Sequence, residues 1–298
     1  MEIPLDPASL VLFRVIFGLL NLLSVLRFAS KGWIEEIYIR PTFHFSYWGF
    51  EWIRPWPGVG MYWHFGVLGL ASLGIMLGCY YRLSVIIFFL AFTSLELMEK
   101  ATYLNHYYFI SLVSFLMIFM PLGRVGSVDV WRTPEWRLEQ LPGWVVWTLR
   151  VQLGLVYFFA GLAKLKADWL LEAQPLRTWL LARSEFPVLG PLFTQSWVAY
   201  MMSWAGMFFD ITVFFCLLRR QTRVLAYAAV FGFHLLTGLL FQIGMFPWIM
   251  MGLTLLFFDA DWPRHIPIFG RWIQRWLPSS PEREAGWNST SVPSVSGL

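Results

Sequence analysis

Several runs of about 20 apolar residues, each broken by very few charges, constrain this chain more than any motif it carries. Inside lipid a backbone amide has no water to bond, so each such run must satisfy its own amides as a helix. Only 13% of the 298 residues are charged, against about 25% in a soluble domain. A water-facing surface built from this composition would be left with large apolar patches, which soluble proteins avoid. The sequence therefore predicts an all-α, polytopic integral membrane bundle.

Eight runs are marked by hydropathy: 8–28, 58–79, 83–98, 105–121, 143–163, 195–218, 223–241 and 243–258. The first is preceded by Glu2 and Asp6 rather than by a basic stretch and is expected to be a retained helix, not a cleaved signal. With eight crossings both termini share a side. The short loops on that side hold Arg82, Arg219, Arg220 and Arg223 without acids, which predicts cytoplasmic termini. Segments 29–57, 96–104 and 164–194 then face outward. Trp33, Trp48, Trp52, Trp56, Trp169 and Trp179 fall in loops or at run ends, as in an interfacial aromatic belt. Gly66, Gly69, Gly74, Gly78, Ala228 and Gly232 are expected to let helices approach closely.

From Pro263 to Leu277, Ile268, Phe269, Trp272, Ile273, Trp276 and Leu277 share one helical face with arginines near the other, the pattern of a helix lying in the headgroup plane. Residues 278–298 are rich in Ser, Pro, Gly and Glu and are expected to be disordered, so 1–277 form the membrane domain. Basic residues are scattered, which argues against a nucleic-acid surface. Cys79 and Cys216 both lie in apolar runs, and no metal-ligand spacing occurs, so neither a disulfide framework nor a metal site is expected.

Ionisable groups within spans are costly and are functional candidates by default. Arg14, Arg150, Asp210 and His234 are such groups. A purely structural role would be an internal ion pair of Arg14 or Arg150 with Asp210. Tyr157, Gly161, Lys164 and Asp168 follow i, i+4, i+7, i+11 and fall on one helical face. An amine in an apolar site is favoured as the neutral base, whereas an interfacial lysine would only snorkel to the headgroups. Asn105 and His106, opening the fourth run among aromatic residues, suit a flat ring with a polar edge, or else a simple helix start.

In order along the chain, Asp6-Pro7-Ala8-Ser9-Leu10 with Phe13-Arg14, Gly74 to Arg82, Glu99-Lys100 through Asn105-His106, Val156 to Gly161 with Lys164-Leu165 and Ala167-Asp168-Trp169, Phe233-His234, Ile243 to Phe246 and Asp261 to Arg264 form a series. In these stretches the chain resembles the membrane portion of vitamin K-dependent gamma-glutamyl carboxylase and its bacterial relatives, the HTTM family. The resemblance covers Asp6 to Leu277. It implies a lysine that deprotonates reduced vitamin K or menaquinol, with oxygen and carbon dioxide as co-substrates and no metal. It assigns Lys164 as that base, His106 and Asn105 as groups that orient the quinol, and Asp168, Asp210 and Arg14 as tuning or structural groups. Tyr157, His234, Phe241, Met245 and Phe246 would wall the quinone site. The implied partners are membrane lipid, the quinol and a glutamate-containing peptide or secreted protein. The implied place is a bacterial inner membrane with the active site towards the periplasm. The animal enzyme continues into a lumenal β-rich region, whereas about forty residues follow the last run here, so quinol chemistry is the firmer expectation and peptide recognition the weaker. The competing expectation is a non-catalytic maturation or export factor for a secreted peptide, in which Lys164 only neutralises a buried acid.

Overall fold

The computed structural model describes residues 4–241, 243–267, 270, 271 and 277. Eight apolar helices form the bundle: α1 (Ala8–Ser30), α2 (Gly60–Leu77), α3 (Tyr81–Met98), α4 (Asn105–Phe119), α6 (Gly143–Ala163), α10 (Ser196–Leu218), α11 (Arg223–Leu240) and α12 (Phe246–Thr254, extended to Phe257 by a 3-10 turn). Short helices α5 (Val128–Arg132), α7 (Ala167–Leu171), α8 (Leu176–Leu181), α9 (Gly190–Phe193) and α13 (Trp262–His265) lie in the connections. Six of the eight are long and apolar enough to cross a membrane, and α4 and α12 are shorter. Their outward faces carry exposed Leu70, Phe208 and Leu239, as helices facing hydrocarbon do. This is a membrane protein with an all-α bundle.

Boundaries follow local chemistry. Gly78 ends α2 with φ +64°, and Cys79 N–H returns to the Gly74 carbonyl at 2.9 Å, a left-handed cap. The fourth run stops at Phe119, before Pro121. The eighth begins at Phe246, later than hydropathy alone indicates, because Gly244 at φ +63° turns the chain there. Ahead of the bundle, β1 (Pro4–Leu5) pairs antiparallel with β2 (Leu141–Pro142), joining the approaches to α1 and α6. Asp6 caps Ala8 N–H at 2.8 Å and pairs with Arg264 at 2.9 Å, so the first and last members of the sequence series meet. The predicted headgroup-plane helix and the 278–298 tail fall largely outside the described residues.

The two in-span arginines do not pair with Asp210, contrary to the ion-pair expectation. Arg14 is 1% exposed and donates to the carbonyls of Leu122, Val125 and Gly126 at 2.6, 2.9 and 2.5 Å. It thus fastens α1 to the turn that follows α4. Arg150 reaches from α6 to the carbonyls of Leu256 and Phe258, at 2.8 and 3.2 Å, and lies over the Trp147 ring. Both arginines are used on main-chain carbonyls in and just after short 3-10 turns. Of the small residues expected at contacts, Gly74 and Gly78 stand against Ser84 and against Ser127 and Arg14, whereas Gly66 and Gly232 have no neighbour near the position a Cβ would take; α1 and α2 also approach closely at Gly18, against the backbone of Ser72 and Met76.

Two long connections are ordered. Residues 164–195 are not a loose loop: α7, α8 and α9 pack on the first half of α10 around Leu180, Phe193, Val198 and Leu240. Residues 40–57 have no regular secondary structure and expose Trp48 and Trp52. They are anchored to the α3–α4 turn by His44 Nδ1 to Glu99 Oε2 at 3.1 Å and by Lys100 N–H to the Phe45 carbonyl at 2.7 Å. The other Glu99 oxygen accepts Ala101 N–H at 2.8 Å, so that buried carboxylate is fully used.

Candidate functional site: an aromatic cavity and a buried lysine–aspartate pair

A cavity of about 340 Å³ opens where α1 and α3 end and α2, α4 and α12 begin, within the size range of small-molecule sites. Its walls are rings. Phe28 stacks on Phe65 at 5.2 Å and Phe88 on Phe92 at 5.5 Å, with Trp33 edge-on to Phe28. Polar groups among the lining include Asn21, Arg27, Tyr38, Glu96, Tyr103, His106 and Tyr107, with the hydroxyls of Ser24 and Thr102. Burial pushes the Tyr38 phenol well above its ordinary range, with Tyr107, Glu99 and Glu96 adding to the effect; burial and Glu96 push Tyr103 in the same direction. Both phenols are therefore hydroxyl donors at physiological pH. Flat apolar walls with a few polar edges are the lining of a small-molecule pocket.

His106 forms one side of this cavity and stacks on Phe246 at 4.9 Å. Phe246 presents its other contact to His234, edge-on at 5.9 Å. His234 Nε2 lies 2.8 Å from Tyr157 Oη, both groups being buried, and His234 Nδ1 has no partner among the described residues. A contact series thus runs from the cavity through His106, Phe246 and His234 to Tyr157 on α6.

Lys164 lies two turns beyond Tyr157, at the C-cap of α6. Its Nζ donates to Asp210 Oδ2 at 2.5 Å and to the Ala160 carbonyl at 3.3 Å, and sits 5.3 Å above the Trp169 ring. Three things hold the amine here. The end of α6 offers free carbonyls and the negative end of its dipole. Asp210, whose side chain is 4% exposed, needs a cation. Trp169 is itself fixed to α10, its indole N–H donating to the Ser203 carbonyl at 2.8 Å.

Gly161 makes the pair possible, since a Cβ there would stand 2.5 Å from Ile211 Cγ1 and 2.9 Å from Ile211 N. Gly161→Val is expected to force α6 and α10 apart, lowering stability by about 1–3 kcal/mol and loosening Lys164 from Asp210. Thermal melting of the detergent-solubilised protein, beside a Gly232→Ala control, checks this; equal melting of the two variants contradicts it.

The structure gathers His106, Phe246, His234 and Tyr157, and separately Lys164 with Asp210. Lys164 does not line the cavity. Asp168 is not the lysine's partner: α6 stops at Ala163, Lys166 is extended, and exposed Asp168 accepts its neighbour's Trp169 N–H. The helical face drawn from Tyr157 to Asp168 crosses a chain break in the helix. Exposed Asn105 is outside the cavity lining, Phe241 packs on Trp179 at 5.6 Å, and Met245 joins the core near Phe246. Besides Arg27, at the end of the first run and also in the cavity lining, two in-span ionisable groups escaped the sequence reading. Glu96 lies within the third run and lines the cavity, and His64, in α2, meets the Ala91 carbonyl at 2.9 Å. The rule that flagged Asp210 applies equally to both.

No solved structure matches the chain. Residues 3–262 match the family model of the HTTM domain, a domain associated with vitamin K-dependent carboxylase, and a match over that share of the sequence, on the fold just described, places the chain in the HTTM domain family.

Proposed function

We propose that this protein is a membrane enzyme that receives a reduced naphthoquinone, vitamin K hydroquinone or menaquinol, in the cavity beside His106 and carboxylates glutamate in a peptide or secreted client. The observation that carries the reading is the cavity itself: ring-walled, of ligand size, and edged by His106, three phenols and a carboxyl group. Bound there, a reduced naphthoquinone supplies, with oxygen, a base strong enough to take a γ-proton from glutamate, after which carbon dioxide adds to the carbon. The protein's part is to bind the ring, exclude water and move one proton. Lys164 Nζ donates to Asp210 Oδ2, so the carboxylate is in place to take the amine's proton. Burial raises the cost of the charged pair, and with the proton on Asp210 the free amine accepts one from a ring hydroxyl. His106, stacked and partly buried, offers the ring a fixed polar edge. Because Lys164 does not line the cavity and Phe246 and the Tyr157–His234 pair stand between the His106 side and α6, this reading requires the Phe246 ring to turn aside and the quinol to move past that pair towards the lysine during turnover. It sets the chain in a bacterial inner membrane with cytoplasmic termini and the cavity towards the periplasm.

A second reading has an observation of its own. The Lys164 charge is already matched by Asp210, as it would be in a maturation factor without chemistry. Lys164→Arg separates the two. Arginine keeps a cation beside Asp210 but stays protonated, so as an enzyme the variant loses at least 100-fold in quinol turnover, the order expected for removal of a general base. A folded Lys164→Arg protein with undiminished turnover contradicts a lysine base.

A further inference from the structure

The cavity wall holds one carboxyl group whose environment is half finished. Glu96, in the last turn of α3, accepts the Ser111 hydroxyl at Oε2, and Ser111 in turn accepts Thr93 Oγ1–H at 3.1 Å. Two hydroxyls on α3 and α4 therefore fix one oxygen. The other, Oε1, is closed off from water and has no donor among the described residues. A buried acceptor left in that state is costly. Nothing in the bundle needs a carboxyl group here: Glu96 caps no helix and forms no ion pair among the described residues, whereas neighbouring Glu99 does both kinds of work. What Glu96 does have beside it is the cavity.

Several other lining groups are good donors, beside Asn21, Ser24, Thr102, His106 and Tyr107, which can donate or accept. Arg27 carries only N–H groups, and Tyr38 and Tyr103 are protonated phenols. These suit any oxygen on a bound ring, oxidised or reduced. Glu96 is the one carboxyl group among the lining residues, and it has an oxygen without a donor among the described residues. We infer that Glu96 distinguishes the two states of the ring: it accepts the hydroxyl of a reduced naphthoquinone and leaves an oxidised or O-alkylated ring, which has no hydrogen to give, bound less tightly. This rests on the reading of the cavity as a naphthoquinol site. The last torsion of a glutamate side chain is soft, so a modest turn of the carboxyl group brings Oε1 to the ligand while Ser111 follows.

The test is binding, without turnover. Full-length protein in nanodiscs is equilibrated under argon with 1,4-dihydroxynaphthalene or with 1,4-dimethoxynaphthalene, which keeps the ring and both oxygens but has no O–H. Binding is counted against protein-free nanodiscs. Wild-type protein is expected to prefer the dihydroxy compound by about five- to tenfold, the size of one hydrogen bond. Glu96→Gln, with nearly the same shape, is expected to lose most of that preference by weakening the dihydroxy compound alone. Ser111→Ala is expected to reduce it partially, since the carboxyl group is then no longer held. Equal affinity of wild-type protein for the two compounds overturns the inference and leaves the ring site standing. An undiminished preference in folded Glu96→Gln overturns it as well. Failure of both compounds to bind wild-type protein overturns the cavity reading together with it.

Discussion

Arg14→Met is expected to strip the folded fraction from detergent-solubilised protein, at a cost of about 3 kcal/mol or more. The guanidinium is the donor for three buried carbonyls, those of Leu122, Val125 and Gly126. Methionine fills a similar length but donates nothing, and each orphaned carbonyl carries about 1–3 kcal/mol of desolvation cost. Relaxation and trapped water recover part of this, which keeps the sum near the value for breaking a buried polar network. The neighbourhood leaves little room for repair. A Cβ on Gly78 would lie 2.8 Å from Arg14 Nη1, and Asp129 closes the same turn by accepting Tyr80 and Tyr81 N–H at 2.7 and 2.8 Å. Arg14→Lys, which reaches fewer of the three carbonyls, should fall between methionine and wild type. Size-exclusion profiles after graded heating check the order, and a methionine variant as stable as wild type contradicts it.

The second large effect concerns Lys164 and Asp210, and it separates stability from chemistry. Asp210→Leu leaves an amine without its acid, and Lys164→Met leaves a carboxylate, 4% exposed, without a cation. Each single change is expected to cost about 3 kcal/mol. In the double variant both charges are gone, and apolar side chains of similar size fill the α6–α10 contact. Replacement of a buried pair by apolar groups is often neutral or better, so melting should return close to wild type. Quinol turnover should not return, because no amine is left to accept a proton. A double variant that regains both stability and turnover would show the pair to be a staple only. One that regains neither would mean that the contact is needed for packing beyond its charges.

Much of the architecture is legible because one physical constraint, the bilayer's demand for self-satisfied backbone, writes itself as long apolar runs. All eight runs are helices, and their ends move by only a few residues, with glycine or proline at some of the shifts, as at Gly78, Pro121 and Gly244. The resemblance to the HTTM family is likewise legible, since its members lie in order along the chain and Asp6 and Arg264 close the series in space. The partners of the charged groups are not. Periodicity describes one helix at a time, so it offered Asp168 to Lys164 by extending a helical face past the end of α6. The actual partner, Asp210, is 46 residues away on α10 and is reached only because Gly161 lets two backbones close. Arg14 and Arg150 show the same gap, for their acceptors are carbonyls, which no side-chain pattern records. Glu96 is different: it was visible as a charge inside the third run, and what the sequence could not show is that Ser111 and Thr93 hold half of it and leave the other half beside a cavity.

The most direct measurement is chromatographic. Wild-type protein and Lys164→Ala, both in nanodiscs and both verified as folded, receive vitamin K hydroquinone, oxygen, bicarbonate and a short glutamate-rich peptide. The account predicts vitamin K epoxide from wild-type protein, its loss in the lysine variant, and a peptide mass increase matching added carbon dioxide. A wild-type sample that binds naphthols in the cavity yet yields neither epoxide nor heavier peptide would contradict the enzymatic reading and leave the bundle as a maturation factor.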